Sequence, residues 1–232
     1  RDQAQEKYGQ ALTNIVYMGM GEPLLNYANV LKSIEQITSP EGLGMSPRRI
    51  TVSTAGIAKM IQKLGDDQVK FNLALSLHAA NDTKRNQIMP INESNTLDVL
   101  KTALLYFFDK TGNDITLEYI VFNKFNDTIE DARELYEFAK GIPCKINLIE
   151  YNPIAQSSFV NAEADAIAKF SAFLESKRMI VNIRRSRGRD IDAACGQLAG
   201  DVKDRTDVAS RIAQQRTVPL HWHPSNPKST QN

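Results

Sequence analysis

The sequence predicts an α/β fold in which parallel strands alternate with helices, and two patterns support that prediction. From Asn14 onward, short apolar runs rich in β-branched residues recur, as in buried parallel strands. Each run is followed by a segment whose apolar residues lie three or four positions apart, which is the spacing of a core-facing helix. Repeated strand–helix units with right-handed crossovers form either an open doubly wound sheet or a barrel.

Six strands are predicted in chain order, at 15–20, 49–53, 71–77, 115–122, 146–151 and 180–184. The helical stripes between them are Val30, Leu31, Ile34, Ile37; Leu97, Leu100, Leu104, Phe108; Ala132, Leu135, Phe138; and Ile167, Phe170, Phe173, Leu174. Helix N-caps are expected at Ser94 or Asn95, at Thr128 and at Asn161, because their side chains accept from free N–H groups of the first turn. Residues 1–13 are polar and compatible with the end of a helix.

Length and composition indicate one main domain. The 232 residues are 42% hydrophobic and 24% charged, and 28 basic residues nearly balance 27 acidic ones. No global field therefore attracts nucleic acid, and a polyanion site must come from local clustering such as Arg184, Arg185, Arg187 and Arg189. Two cysteines, with no long apolar run, predict a cytoplasmic protein without a membrane span. We expect the main domain to span 1–200 and a C-terminal extension to span 201–232, with room for one helix before a disordered tail.

Polar groups follow every predicted strand, and in a parallel α/β protein those strand ends meet on the face where ligands bind. Gly, Asn, Ser and Pro also end strands through ordinary turn chemistry, which is the simpler interpretation of each one alone. Glu22 and His78 fit that interpretation least well. A carboxylate between a glycine and a proline can pair with an ammonium group, and alternation along a strand turns Ser76 and His78 toward the same face.

Cys195 lies where a basic turn runs into a short predicted helix. Asp190 or Asp192 can cap that helix, and free N–H groups and neighbouring arginines both favour a thiolate. A thiolate is a nucleophile. The alternative is that Cys195 is simply a small buried apolar residue.

Five motifs together resemble the RlmN branch of the RlmN/Cfr radical S-adenosylmethionine (SAM) RNA methyltransferases. They are MGMGEPL at 18–24, STAG at 53–56, SLHA at 76–79, NP at 152–153 and RGRDIDAACGQL at 187–198. The resemblance covers about residues 14–200, with the motifs in the family's order and spacing. It implies a partial, open (β/α)6 radical-SAM barrel whose first strand and cluster loop are missing here, with SAM lying across the strand ends.

The resemblance also implies roles for individual residues. Gly21 and Glu22 match the positions that hold the methionyl amino end of SAM, and Cys195 matches the cysteine that accepts and passes on the methyl group. The positions that line the rest of the cofactor are matched by Ser53, Ser76, Leu77, His78 and Asn152. The four arginines from Arg184 to Arg189 would contact RNA phosphates or orient the flipped-out base.

The sequence departs from the family at the iron–sulfur site. The family binds a [4Fe–4S] cluster through three cysteines of a loop after its first strand, and a further upstream cysteine and glutamate serve catalysis; none of these is present. Cys144 precedes a strand and so belongs at the opposite end of the barrel from Cys195. We therefore expect no metal ligands in this chain. The sequence begins at Arg1 and not at a methionine, and we expect the segment before it to have carried the cluster loop.

The implied reaction transfers a methyl-derived carbon from SAM to C2 of adenosine in 23S rRNA and tRNA, through a methylated cysteine and radical chemistry. The implied partners are these RNAs and an electron donor such as a flavodoxin system, acting on a monomer. Two rival interpretations remain open. One is a barrel aldolase or isomerase with Glu22 as base and the arginine turn as phosphate site. The other is a non-catalytic RNA-binding module in which Cys195 is buried.

Overall fold

The structure, a computed structural model, describes residues 2–19, 21–152 and 158–185. Its strands are β1 Ile15–Tyr17, β2 Ile50–Thr54, β3 Asn72–Ser76, β4 Ile115–Val121, β5 Cys144–Glu150 and β6 Ile180–Arg184. Its helices are α1 Asp2–Tyr8, α2 Tyr27–Thr38, α3 Ala58–Asp66, α4 Asp82–Ile88, α5 Leu97–Thr111, α6 Ile129–Ala139 and α7 Ala164–Ser176. Short 3₁₀ turns lie at Pro23–Asn26, Pro47–Arg49 and Pro90–Glu93.

The six strands form one parallel sheet whose spatial order is the same as their order in the chain. Each strand–helix unit therefore moves one position along the sheet, as in a barrel. A doubly wound sheet would reverse its strand order partway. Among the described strands β1 and β6 are edges that do not pair with each other, so the barrel is open. This confirms the predicted α/β class and the partial barrel.

The two faces of the sheet differ in character. Alternate residues such as Val52, Leu75, Leu117 and Leu148 are fully buried, and they form one apolar core with the helical stripes. Buried apolar area of this kind is the main stabilising contribution to such a fold. The side chains that point the other way include several polar ones; this inner face is defined here by Ser53, Ser76, Glu118, Asn147 and Asn182.

The predicted strands are all present, with shifted ends. β1 stops at Tyr17 rather than at residue 20, whereas β5 begins two residues early because Cys144 pairs with Ile115. Cys144 therefore lies at the amino end of β5, whereas the motifs lie at the carboxyl ends of the strands. No helix among the described residues is long and apolar enough to cross a membrane.

Two of the predicted helix caps are wrong, and the structure shows why. Thr128 caps α6 in a capping box with Asp131, as predicted. In contrast, α5 starts after Thr96, and the Asn95 side chain instead accepts the N–H of Ala58 at 2.9 Å, at the start of α3. Asn161 does not cap α7, because its side chain accepts the N–H of Tyr151 at 2.9 Å. Both asparagines stabilise segments that are distant in the sequence.

Candidate active site

Glu22 lies on the rim formed by the carboxyl ends of the strands, and it joins β1 to β2. Its carboxylate accepts the N–H of Leu24 at 3.0 Å and the N–H of Ala55, just beyond β2, at 2.6 Å. Gly21 precedes it with φ +87°, a conformation that favours glycine, and nothing lies within 4 Å of the position a Cβ would take. Each carboxylate oxygen has a second lone pair, so Glu22 keeps acceptor capacity for a cation at the rim.

Two serine hydroxyls follow on the neighbouring strands. Ser53 in β2 and Ser76 in β3 lie on the inner face, both partly buried, with their Oγ atoms 3.4 Å apart. Both were predicted as cofactor-lining residues. The structure therefore brings a carboxylate and a pair of hydroxyls together along the rim of β1, β2 and β3.

The chain turns sharply after Ser76. Leu77 is fully buried, so this predicted site residue offers the rim its backbone and not its side chain. His78 has φ +56° and lies beyond the end of β3, so strand alternation does not set the direction of its side chain as the sequence had suggested. The backbone N–H groups of both residues donate to the carbonyl of Glu118, at 2.9 and 3.2 Å. The turn is thus fixed by the neighbouring strand β4.

The His78 imidazole is neutral at physiological pH. Its Nδ1 accepts the N–H of Ile120 at 3.1 Å, which leaves the proton of the neutral ring on Nε2. Burial, and secondarily the positive charge of Arg85, lowers the pKa of His78 from 6.5 to about 4. His78 therefore acts as a neutral hydrogen-bonding group at this position.

Arg85 is a rim residue that the sequence analysis missed. Its side chain is fully buried, and its guanidinium donates to four acceptors, the carbonyls of Ala55, Ser76 and Leu77 and the Oδ1 of Asn92. Helix α4 has the sequence DTKRNQI, in which polar residues predominate. Nothing in that composition distinguishes the one buried cation from its exposed neighbours.

A second polar cluster that the sequence analysis missed lies on the inner face of β4, β5 and β6. Glu118 is 4% exposed, accepts Asn147 Nδ2 at 2.8 Å and pairs with Arg184 at 3.3 Å. Burial raises the pKa of Glu118, although its bonds to Asn147 and Arg184 oppose the rise. Asn182 extends the cluster by donating to Asn147 Oδ1 at 3.2 Å. The alternation of ITLEYIV indicates that Glu118 faces inward, so this acid could have been identified from the sequence.

The remaining predicted residues lie around or beyond this rim. Asn152 lies two residues beyond the end of β5 and is 5% exposed, and Arg184 and Arg185 are exposed at the end of β6. Arg187, Arg189 and Cys195 lie outside the described residues, as does the extension over 201–232.

Burial raises the pKa of Cys144 to about 12, against the opposing charge of Lys101, so that sulfur is a protonated thiol. Across 2–19, 21–152 and 158–185, no group of three His, Cys, Asp or Glu residues could hold a metal ion.

Comparison with known proteins relates most of the chain to one set of methyltransferases. It is 65% identical over 199 residues to a "Probable dual-specificity RNA methyltransferase RlmN" of Cytophaga hutchinsonii, covering 86% of this chain and 54% of that protein. It is 57% identical over 192 residues to the protein of the same name from Christiangramia forsetii, covering 83% and 54%. The chain thus spans about half the length of the curated relatives it matches. No family model matches it.

Solved structures agree with that relationship. A radical SAM methyltransferase from Sphaerobacter thermophilus superposes with a TM-score of 0.81 at 37% identity, over 84% of this chain and 57% of that one. A domain of pyruvate-formate lyase-activating enzyme from Bacteroides vulgatus superposes with a TM-score of 0.58 at 13% identity, over 75% and 99%. The second likeness supports the open-barrel fold alone.

Proposed function

Since the matched span of this chain belongs to the RlmN family of radical SAM methyltransferases, we propose that it forms the SAM-binding and methyl-accepting part of an RNA methyltransferase. The observation that carries the proposal is the rim of Glu22, Ser53 and Ser76, which gathers a carboxylate and two hydroxyls at adjacent strand ends. A barrel aldolase or isomerase would leave the ordered motifs and Cys195 unexplained.

The rim fits SAM chemically. The Glu22 carboxylate has free lone pairs for the ammonium of the methionyl end, next to a glycine with open space around it. The hydroxyls of Ser53 and Ser76 are suited to the polar groups of the ribose or carboxylate. His78 and Asn152, with the backbone of Leu77, line the remainder. When bound, SAM supplies an electrophilic methyl group on a positively charged sulfur.

Cys195 is the residue proposed to take that methyl group. Its thiolate forms a sulfur–carbon bond as the bond to the sulfonium breaks, so that a neutral thioether remains on each side. The acceptor proposed is C2 of adenosine in 23S rRNA and tRNA, with Arg184, Arg185, Arg187 and Arg189 contacting phosphates. Cys144 is excluded from this role by its protonated thiol and its place at the amino end of β5.

The residues of this chain do not fit an iron–sulfur cluster. A cluster of the radical-SAM type needs three thiolates on one loop, whereas the chain has two cysteines, one of which begins β5. No step through the cluster is therefore assigned to these residues.

The test is the methylation state of Cys195 in the protein isolated at its native length. Mass spectrometry should find one added methyl group on Cys195 and none on Cys144. Cys195→Ala should abolish C2-methyladenosine in the RNA, because residues that act as one chemical unit fail completely rather than by degrees. Cys144→Ala is the matched control and should retain methylation. A Cys195→Ala protein that still methylates RNA would refute the proposed role.

A further inference from the structure

Arg85 occupies a position between the ends of β2 and β3 that the proposed reaction does not explain. Its Nη2 donates to the carbonyls of Ala55 at 2.7 Å and Ser76 at 3.1 Å, and its Nε donates to the carbonyl of Leu77 at 3.1 Å. Its Nη1 donates to Asn92 Oδ1 at 2.7 Å. One buried side chain thus holds three backbone carbonyls from two neighbouring strand ends.

A buried cation with such partners is a costly way to stabilise a core. Within the described residues no carboxylate oxygen bonds to Arg85, and Asp82 is linked to it only through the Asn92 amide at 2.8 Å. Burial lowers the pKa of Arg85 to about 10, so the group stays charged at neutral pH. Replacing buried charges by well-packed apolar groups is often neutral or stabilising. The arrangement therefore favours a role that depends on geometry over a role in stability alone.

The backbone around Arg85 makes room for it. Gly56 has φ +106°, and a Cβ there would lie 3.2 Å from Arg85 Nη2 and 3.0 Å from a Leu100 methyl. Ala55, the residue before Gly56, is held on both sides, because its N–H donates to Glu22 and its carbonyl accepts from Arg85. Glu22 and Arg85 therefore hold the same turn, one through the N–H and the other through the carbonyl of Ala55.

We propose that Arg85 is the positioning residue of the SAM rim, which clamps the Ala55 and Ser76–Leu77 carbonyls so that Glu22 and the Ser76 hydroxyl stay in register. The choice of SAM as the ligand rests on the proposed function, whereas the hydrogen bonds by which Arg85 holds the two turns do not. Without the guanidinium, three carbonyls lose their donor, and both turns gain freedom. The four acceptors of Arg85 are three backbone carbonyls and the Asn92 amide, so its effect passes through the backbone.

Hydrogen exchange and SAM affinity, both measured on the native-length protein, test the clamp. Arg85→Met should speed amide exchange about tenfold in segments 53–57 and 76–79, beyond any global change. SAM binding to the same variant should weaken at least about tenfold, as expected for the loss of charge-assisted bonds that orient a site. Arg85→Lys keeps the charge without the planar set of donors, so its effects should be intermediate. If Arg85→Met does not fold, hydrogen exchange and SAM affinity are both measured on Arg85→Lys.

The matched control is Leu104→Ala, which truncates a fully buried leucine of α5 and removes no hydrogen bond of the rim. It should speed exchange through the whole fold and leave the affinity of the folded protein for SAM unchanged. Arg85 variants that repeat this pattern would overturn the proposal and make Arg85 a structural residue. If the parent protein binds no SAM, the proposed function fails, while the exchange measurement still decides whether Arg85 is a clamp.

Discussion

Glu22→Gln tests whether the Glu22 carboxylate supports the rim as well as offering it a charge. Each carboxylate oxygen accepts one backbone N–H, from Leu24 and from Ala55. Glutamine has one acceptor oxygen, and its NH₂ group would face an N–H donor at the other bond. One charge-assisted hydrogen bond is therefore lost, at a cost of about 1.5–3 kcal/mol to the folded state.

Thermal unfolding measures that cost. In a chain of this size about 1 kcal/mol lowers Tm by about 2–4 °C, so Glu22→Gln should lower Tm by about 3–12 °C. Glu22 is partly exposed, which places the result toward the lower end of that range. The control is Glu130→Gln, which breaks an exposed pair with Arg133 and should change Tm by about 2 °C at most.

Calorimetry on the native-length protein measures the second effect of Glu22→Gln, a SAM affinity at least about tenfold weaker. A Tm equal to that of the parent would show that the bonds to Leu24 and Ala55 do not stabilise the rim. An unchanged affinity would place the partner of the SAM ammonium elsewhere. The reasoning is refuted if both quantities stay at the parent values.

Three further predictions concern the titration of buried groups. Cys144 should resist iodoacetamide in the folded protein, because a pKa of about 12 leaves about one thiol in ten thousand ionised at pH 8; mass spectrometry showing labelling before unfolding would contradict this. Glu118 has a raised pKa, so its stabilising contribution is complete below 4.5 and is lost as the pH rises through the folded value. The free energy of unfolding of the parent relative to Glu118→Gln should therefore fall as the pH rises above 4.5. Denaturant unfolding at several pH values measures this difference, and a constant difference would contradict the prediction. His78 has a lowered pKa, so its contribution is present above 6.5 and is lost as the pH falls to about 4, by at most about 3 kcal/mol relative to His78→Gln; a flat difference in unfolding free energy between pH 7 and pH 4 would contradict this assignment.

The sequence predicted the strands well because their signal is local. A run such as ITLEYIV combines β-branched residues with an alternation that repeats every second position, and it forms β4 within one residue of the predicted end. The helical stripes succeeded for the same reason, since Leu97, Leu100 and Leu104 are buried together on α5. Periodicity therefore reveals which face of an element enters the core.

The missed features depend on contacts between distant segments. Asn95 was predicted to cap the helix that follows it, whereas its side-chain partner is Ala58, 37 positions earlier. Arg85 meets Ala55 across 30 positions. The alternation of β4 indicates that Glu118 faces inward, but its partner Arg184 lies 66 positions later. A polar residue in a short helix has the same local appearance whether it is exposed or buried. Only the tertiary fold determines that Arg85 is the buried residue of α4.

The rim is built by side chains that replace the hydrogen-bond ladder where the strands stop. Beyond a strand end the backbone N–H and C=O groups lose their neighbours, and buried groups of this kind must still be paired. Glu22 accepts the N–H of Ala55 just beyond β2, and Arg85 donates to carbonyls at the ends of β2 and β3. Asn126 does both, donating to the carbonyls of His78 and Ile120 while accepting the N–H of Phe122.

These replacements do not use the two serine hydroxyls of the proposed SAM site. Because Glu22, Arg85 and Asn126 satisfy the backbone at the strand ends, the hydroxyls of Ser53 and Ser76 remain in contact with each other on the inner face. A core truncation such as Leu104→Ala is expected to change how much of the protein is folded and not the rim that is formed. A change at Arg85 or Asn126 is expected to alter the rim while the core stays packed. Variants of these two residues should therefore lose SAM affinity in the folded state, whereas core variants should lose folded protein of normal affinity.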